Sequence, residues 1–380
     1  MLITNLKIKN FRNYNEQEIS LNENINIFYG DNAQGKTNII ESIYVASIGK
    51  SFRTSKDKEL IKINEKMAII EIDFKKIDRS GKIKLIIDDK KSVFLNGVRL
   101  KKLSELLGNL NIVTFIPRDI NILKEGPSDR RRFIDMMIGQ LKPNYIYNLN
   151  MYLKVLEQRN NYLRQIKYEG KKEDLLEIWD EKLADYAEKI SEYRKIYIDR
   201  IKEKITDIHE NITNKTEKLK IDYSTTCSKK NEFLKQLKDC RKIDILKGYT
   251  TRGIHRDDFM IYLDGKEVKI YGSQGQNRTA ILSLKMTELQ VIKEEIGEYP
   301  ILLLDDFMSE LDKKRIDNFL SNIENIQVII TCTEKFYETN NKNINKYNFY
   351  KVNNGRVEFD LIRESCNLER NDNNGEDGKI

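Results

Sequence analysis

Eight consecutive residues near the N-terminus have the types and spacing needed to bind a triphosphate: Gly30, Asp31, Asn32, Ala33, Gln34, Gly35, Lys36 and Thr37. They match G-x-x-x-x-G-K-[ST], the pattern of a phosphate-binding loop. Because glycine has no Cβ, Gly30 and Gly35 let several backbone N–H groups approach one anion. Lys36 supplies a positive charge for the β- and γ-phosphates, and Thr37 supplies a hydroxyl ligand for Mg²⁺. The loop therefore predicts ATP and Mg²⁺ as cofactors.

The residues on either side of this loop give the context that the pattern requires. Ile25–Tyr29 begins with alternating apolar and polar residues and predicts a strand. After the loop, apolar residues recur at helical spacing between positions 39 and 46, which predicts a helix whose positive end faces the phosphates. A glycine-rich surface turn is the alternative, and the order strand, loop, helix argues against it.

A second candidate element lies far along the chain, where an apolar run ends in two acids. Ile301–Leu304 predicts a short buried strand, and Asp305 and Asp306 follow it directly. A carboxylate at the end of such a strand is fixed in place, so Asp305 is the expected metal partner and Asp306 the residue that orients or deprotonates an attacking water. Alone, this would be an acid pair without a role. Together with the phosphate-binding loop it predicts an ATP site.

A third element precedes a helix that we predict over residues 276–295. Ser273, Gly275 and Gln276 present a hydroxyl, a glycine N–H and a helix start, a combination that suits an anion. The alternative is that Ser273 is only the N-cap of the helix.

The elements that must position these groups divide the chain into four parts. Residues 1–125 are rich in predicted strands and form the first part of an α/β ATPase head, and residues 246–365 return to strands and complete it. Between them, residues 126–245 show apolar spacing typical of long helices, close to a heptad seam between positions 183 and 208. We predict an inserted antiparallel helical arm, with an ordinary helical subdomain as the alternative. A hairpin is predicted at 259–271, and the polar tail at 366–380 is expected to be disordered.

Composition bounds the function classes. The chain has 380 residues, two histidines, four scattered cysteines and a net charge of +7. No apolar run approaches the roughly 20 residues of a membrane span, and the N-terminus alternates like a strand rather than a signal peptide. We therefore expect a reduced, cytoplasmic protein without a zinc site or a membrane partner. The mild basic excess is compatible with nucleic acid but does not identify it.

The three elements together resemble the ABC-type ATPase head of SMC-like proteins: Walker A at the loop, a signature at Ser273 and Walker B at Asp305. In that comparison Ser309 and Asp312 match the D-loop. The chain resembles the RecF family more closely, through stretches that follow the family order over nearly its whole length. They are residues 10–14 (NFRNY), 30–37 (GDNAQGKT), 49–53 (GKSFR), 124–127 (KEGP), 130–135 (RRRFID), 253–258 (GIHRDD), 272–276 (GSQGQ) and 304–306 (LDD).

This resemblance implies an ABC-type P-loop head with a short helical arm. It implies that ATP is sandwiched between two heads, so that Ser273, Gly275 and Gln276 act in trans and ATP drives formation of a homodimer. It further implies binding to single-stranded, gapped and duplex DNA, with RecR and RecO as partners in recombinase loading and in SOS induction. Asp306 stands where many ABC heads carry Glu, and Thr331 to Thr333 replace the usual switch histidine. A weak DNA-dependent ATPase is the most that we expect.

Three other groups of residues each have two possible roles. Arg12 is a candidate ATP ligand or an ordinary strand-end arginine. Arg130, Arg131 and Arg132 are candidates for phosphate contacts or for salt bridges at a helix start. His255 and Arg256 belong to a family element near the site, or His255 is a satisfied buried histidine.

Two further function classes remain as alternatives. A nuclease-coupled ABC head would need an additional acidic metal-binding domain, and little chain follows the last predicted hairpin. A structural SMC-like linker would need a longer arm than residues 126–245 provide.

Overall fold

The computed structural model describes residues 1–227, 229–306, 325–333 and 347–360. Its strands are β1 (Leu2–Phe11), β2 (Tyr14–Ser20), β3 (Ile25–Tyr29), β4 (Ala68–Lys75), β5 (Ser80–Ile87), β6 (Ser92–Leu95), β7 (Val98–Arg99), β8 (Ile112–Phe115), β9 (Leu219–Ser224), β10 (Asp258–Leu263), β11 (Lys266–Glu267), β12 (Ile301–Leu304), β13 (Val328–Cys332), β14 (Tyr347–Asn353) and β15 (Arg356–Asp360). The helices of eight or more residues are α1 (Lys36–Ile48), α3 (Pro127–Leu141), α4 (Pro143–Glu169), α5 (Leu176–Thr213), α6 (Lys230–Asp239) and α9 (Gln274–Ile296). Shorter ones are α2 (Asn121–Lys124), α7 (Arg241–Lys247) and α8 (Val268–Tyr271).

A mainly parallel sheet joins the two ends of the chain. Its strand order is β15-β14-β3-β13-β12-β8, and only β15 runs antiparallel to its neighbour. The prediction of an α/β head that is discontinuous in sequence is therefore confirmed. Since the carboxyl ends of parallel strands lie at one edge, the loop after β3 and the acids after β12 come to the same edge of the sheet.

Side chains alternate between two cores on the two faces of this sheet. Along β12, Ile301 and Leu303 pack into the core around α1, whereas Leu302 and Leu304 pack into the core that includes α9. Helix α1 lies between this sheet and an antiparallel sheet of order β2-β1-β4-β5-β6-β7. It is consequently buried on nearly every side, and even its polar residues Glu41, Ser42 and Ser47 are buried.

The helical region is a subdomain built around two long helices that pack against each other, and its interpretation as an arm stays a prediction. Helices α4 and α5 form an antiparallel pair, because residues 170–175 connect them directly. The apolar stripe of α5 also packs against α6, α9 and β9. We keep the word arm for this subdomain. No helix in the described part of the chain is both long and apolar enough to cross a membrane.

Two details of the arm differ from expectation. Strand β9 lies within the segment predicted as helical, and it pairs antiparallel with β10, so one small sheet crosses the predicted boundary at 245/246. The predicted hairpin at 259–271 is also shorter than expected, because β11 has two residues and α8 follows it. Val268 is buried, whereas Ile270 and Tyr271 are exposed. No partner strand covers the two exposed side chains in the described part of the chain, and residues 268–271 form α8, which leads into α9.

Buried arginines tie the arm together. Arg159 on α4 is fully buried and donates to Asp180 Oδ1 at 2.7 Å and to Asp244 Oδ2 at 2.8 Å. Arg194 on α5 donates at 2.9 Å to both Asp135 and Asp257. These pairs connect α3, α4, α5, α7 and the segment before β10, and the desolvated charges tolerate burial only because they are paired.

We predict that Arg159→Leu destabilises the arm by about 3–5 kcal/mol, because it leaves buried carboxylates without their partner. Urea unfolding followed by circular dichroism measures this change. The matched control is Arg164→Leu on the same helix, where the side chain is exposed, and its effect should stay within about 0.5 kcal/mol. Equal effects of the two substitutions would contradict the structural role of Arg159.

A second prediction concerns pH. Burial lowers the pKa of His255 from 6.5 to about 4, so between these values the unfolded chain binds a proton that the folded chain does not. Stability is therefore lost as the pH falls from 6.5 toward 4, by roughly 3 kcal/mol from this group. Comparing the wild type with His255→Gln at each pH cancels the other titrating groups. We expect the variant to lose less stability over this window, and parallel curves would contradict the assignment.

Candidate functional site

The phosphate-binding loop lies between β3 and α1 and needs glycine at both ends. Gly30 and Gly35 have φ values of 150° and 116°. A Cβ on Gly30 would lie 2.4 Å from the Val352 carbonyl oxygen, and a Cβ on Gly35 would lie 2.6 Å from Asn13 Nδ2. A larger residue at Gly30 would displace the backbone of Val352, and one at Gly35 would displace the Asn13 side chain.

Two turns that are distant in sequence hold the loop in place. From the turn between β1 and β2, Asn13 Nδ2 donates to the Gln34 carbonyl at 2.9 Å and the Tyr14 hydroxyl donates to the Gly35 carbonyl at 3.0 Å. From the turn between β14 and β15, the Gly355 N–H donates to the Gln34 carbonyl at 3.0 Å. Sequence reasoning did not assign Asn13 to the site, although the family stretch at 10–14 contains it.

Lys36 lies at the centre of the loop. Its Nζ donates to the carbonyls of Gly30 at 2.5 Å and Asp31 at 2.7 Å. Burial lowers the pKa of Lys36, and this effect is opposed by nearby negative groups, foremost Asp306. The ammonium is thus held among backbone groups of the loop, where the spacing of the sequence motif predicts it.

Asp305 brings the second candidate element against the loop. The Thr37 hydroxyl donates to Asp305 Oδ1 at 2.9 Å, and the Thr331 hydroxyl donates to the same oxygen at 2.8 Å. Burial raises the pKa of Asp305, while these two hydrogen bonds oppose the rise. A hydroxyl and a carboxylate that meet in this way are hard oxygen donors, which fit Mg²⁺.

Thr331 also fixes the residue that follows. The Asp306 N–H donates to Thr331 Oγ1 at 3.0 Å, and Asp306 has a φ of 51°, so the chain turns directly after Asp305. The two consecutive acids therefore do not continue the strand. The Thr331 hydroxyl therefore holds the Asp305 carboxylate and the Asp306 N–H in position.

Arg12 lies beside the loop but is held by another side chain. It donates to the fully buried Glu41 of α1 through Nε at 2.9 Å and through Nη2 at 2.7 Å. Arg53 also contacts Glu41, at 3.3 Å. A contact of Arg12 with ATP stays a prediction. Glu41 was not singled out from the sequence, although an acid inside an apolar helix is the signal that indicates such a buried pair.

Ser273 is the N-cap of α9. Its Oγ accepts from the Gln276 N–H at 3.2 Å, and the Gln276 side chain accepts from the Ser273 N–H at 2.9 Å. The Gln276 amide also donates to Glu217 at 2.9 Å. Ser273 therefore caps α9 and is exposed at the helix start. A role of Ser273, Gly275 and Gln276 in trans stays a prediction.

The structure distinguishes the other candidates. Arg130 is buried and donates to both carboxylate oxygens of Asp258, at 2.6 and 2.9 Å, which supports the salt-bridge alternative. Arg132 is exposed.

His255 contacts the Tyr152 hydroxyl at 2.8 Å and the Thr250 carbonyl at 3.1 Å, within the arm. The D-loop candidates Ser309 and Asp312 and the tail at 366–380 lie outside the described residues.

A family model and several known proteins match nearly the whole chain. The family model described as the RecF/RecN/SMC N terminal domain matches residues 2–357. A DNA replication and repair protein RecF from Acetivibrio thermocellus is 44% identical over 371 residues, covering 94% of this chain and 100% of that protein. A protein of the same description from Clostridium perfringens is 43% identical over 369 residues, with 94% and 100% covered.

Solved structures of RecF and of an Smc head also resemble the chain. The recombination mediator protein RecF-ATP in the RecFOR pathway superposes with a TM-score of 0.87 at 38% identity, covering 94% of this chain and 97% of the other. An Smc head bound to the C-winged helix domain of ScpA has a TM-score of 0.56 at 17% identity, with 94% and 97% covered, and this likeness concerns the fold alone. The chain therefore belongs to the RecF family of DNA replication and repair proteins and carries the ATPase head fold that this family shares with SMC proteins.

Proposed function

We propose that the chain is an ATP-operated DNA-binding protein of recombinational repair and replication, which dimerises through ATP and has weak DNA-dependent ATPase activity. The observation that carries the proposal is the hydrogen bond between Thr37 and Asp305, because it joins the two halves of an ATP site from opposite ends of the chain. RecF relatives solved with ATP support the choice of nucleotide.

Each residue of the loop then has a distinct task. The backbone N–H groups between Gly30 and Thr37 bind the phosphates, with the positive end of α1 behind them. Lys36 would donate to phosphate oxygens in place of its carbonyl partners, and Thr37 and Asp305 would hold Mg²⁺, which would supply charge neutralisation for the phosphates. Asp306 orients the attacking water, and its short side chain is consistent with slow hydrolysis.

The signature completes the site from a second copy. Ser273 and Gln276 cap an exposed start of α9, where a helix dipole and the glycine N–H at Gly275 are available to an anion. In the proposed homodimer these groups contact the γ-phosphate held by the partner's loop. ATP therefore closes the dimer, and hydrolysis opens it.

The dimer is the form that binds single-stranded, gapped and linear duplex DNA in the cytoplasm. By family relation, RecR and RecO are its partners in recombinase loading, and the pathway feeds SOS induction. RecF structures described as part of the RecFOR pathway support this assignment. A titration of gapped, single-stranded and duplex DNA, with and without ATP at a fixed salt concentration, tests it. Equal affinity with and without ATP would contradict ATP control of DNA binding.

We predict that Lys36→Ala lowers ATP affinity at least about 100-fold, because the loop loses its central positive charge. Isothermal titration with ATP and Mg²⁺ measures the effect. Lys66→Ala removes an exposed lysine and is the matched control, with unchanged affinity expected. ATP binding by the Lys36 variant at wild-type strength would remove the loop from the proposed site.

We also predict that Ser273→Arg retains ATP binding but prevents ATP-driven dimerisation, because a large cation replaces the hydroxyl that faces the partner's phosphate. Sedimentation velocity with ATP and Mg²⁺ measures the mass of the complex. Ser80→Arg places the same side chain at an exposed strand start and should dimerise normally. Normal dimers of the Ser273 variant would leave Ser273 with its capping role alone.

A further inference from the structure

One segment of the arm concentrates positive charge. The chain has 67 lysines and arginines against 60 acids, but residues 238–256 contain six basic residues against two aspartates. The basic residues are Lys238, Arg241, Lys242, Lys247, Arg252 and Arg256. Residues 84–102 on the head have the same balance of six basic residues against two aspartates, so the count alone does not single out the arm segment.

Few of these charges are neutralised by neighbours. Lys238 lies 3.7 Å from Glu177, and Arg241 lies 3.0 Å from Asp180. Asp244 is fully buried and is bound by Arg159, so its charge does not reach the surface. The other four basic side chains are exposed, and among the described residues no carboxylate lies within 4 Å of them.

Helix α4 adds two more cations next to Gly248. A Cβ on Gly248, directly after α7, would lie 3.4 Å from Arg164 Cγ and 3.9 Å from Lys167 Cδ, so both side chains pass close to this segment. Both side chains are exposed and likewise lack a carboxylate partner within the described ranges. We call the six residues the arm basic patch: Arg164, Lys167, Lys242, Lys247, Arg252 and Arg256.

The scaffold under the patch is fixed by buried hydrogen bonds. Asp244 Oδ1 accepts from the Thr251 N–H at 2.9 Å and from its hydroxyl at 2.7 Å. Thr250 donates from its N–H to Asn160 Oδ1 at 2.7 Å, which ties the segment to α4. The cations therefore project from rigid elements rather than from a flexible tail, so their spacing is set before any ligand binds.

Two tyrosines lie among the cations. Tyr249 is 39% exposed, and the Arg256 guanidinium lies 5.6 Å from its ring centroid. Tyr168 is 74% exposed, and Lys167 Nζ lies 4.9 Å from its ring centroid. Unpaired cations together with exposed aromatic rings are the composition of a surface that binds a nucleic-acid backbone and stacks bases.

We propose that the arm basic patch holds the phosphate backbone of DNA and that Tyr249 stacks on an unpaired base of a single-stranded segment. This inference rests on the proposed function and specifies the surface through which it acts. Ile243 and Leu246 are also exposed, in the same helix as Lys242 and Lys247. A surface that combines apolar and basic side chains could also bind an acidic protein. The six unpaired cations and the two cation–aromatic pairs favour a polyphosphate strand, because each cation can neutralise one phosphate.

The test compares two triple variants of the full chain that lose the same charge. The patch variant is Lys247→Ala, Arg252→Ala and Arg256→Ala. The control variant is Lys90→Ala, Lys101→Ala and Lys102→Ala, three exposed lysines on the head without a carboxylate within 4 Å in the described part of the chain. Fluorescence anisotropy measures affinity for gapped DNA with ATP between 50 and 300 mM NaCl (about the range in which counterion release is resolved).

For the patch variant, the slope of log K against log salt should become shallower by about 2–3, with affinity at about 150 mM salt at least tenfold weaker. The control variant should change both quantities much less. An Arg164→Ala, Lys167→Ala double variant tests the α4 side independently, with a slope change of about 1.5. Thermal unfolding and ATP titration show whether each variant is folded.

Equal behaviour of the patch and control variants overturns the inference while leaving ATP-dependent DNA binding intact. Absence of DNA binding by the wild type, with ATP at the lowest salt concentration, overturns both the inference and the proposed function. If the patch variant retains DNA affinity but loses binding to poly-L-glutamate, the surface serves an acidic protein and the DNA assignment is wrong.

Tyr249→Ala separates stacking from charge. It should weaken binding to single-stranded DNA at least about fivefold without changing the salt slope, because stacking on an aromatic ring neutralises no phosphate. Tyr147→Ala, on the exposed surface of α4, is the matched control. Unchanged single-strand affinity of the Tyr249 variant would overturn the stacking part of the inference.

Discussion

The hydrogen bond between Thr37 and Asp305 joins residues that are 268 positions apart in the chain. It can form only if β3 and β12 lie in one parallel sheet, with β13 between them supplying Thr331 to the same carboxylate oxygen. Burial disfavours the charged form of Asp305, and the two hydroxyl groups offset this effect. The whole head must therefore be assembled before either half of the site has its geometry.

Buried charged groups also hold the arm together, and there each arginine is paired with carboxylates. Arg159 and Arg194 are buried almost completely, and each contacts two carboxylates. Replacing whole pairs by apolar residues is often neutral in other proteins, whereas removing one partner leaves a buried charge without a counter-charge and is strongly destabilising. By holding Asp244 inside the arm, Arg159 fixes the segment whose cations project outward. A buried network thus sets the spacing of the surface that we assign to DNA.

Helix α9 connects these two parts. Its first residues carry the Ser273 cap, and its body packs against α3, α5 and β8. Within it, Lys285 bonds Glu288 at 3.1 Å and lies 3.9 Å from Asp119, which follows β8. Helix α9 therefore links the Ser273 cap both to the segment that follows β8 and to the helices α3 and α5.

The sequence by itself determined the elements whose residues are adjacent in the chain. The loop between Gly30 and Thr37, the buried strand before Asp305 and the cap at Ser273 are local patterns, since backbone conformation and burial there follow from a few neighbouring side chains. Only the tertiary structure decided that Arg12 binds Glu41, that Arg130 binds Asp258 and that β9 pairs with β10. Those outcomes depend on which distant partner a charge or a strand edge meets, and residue spacing along the chain carries no information about that choice.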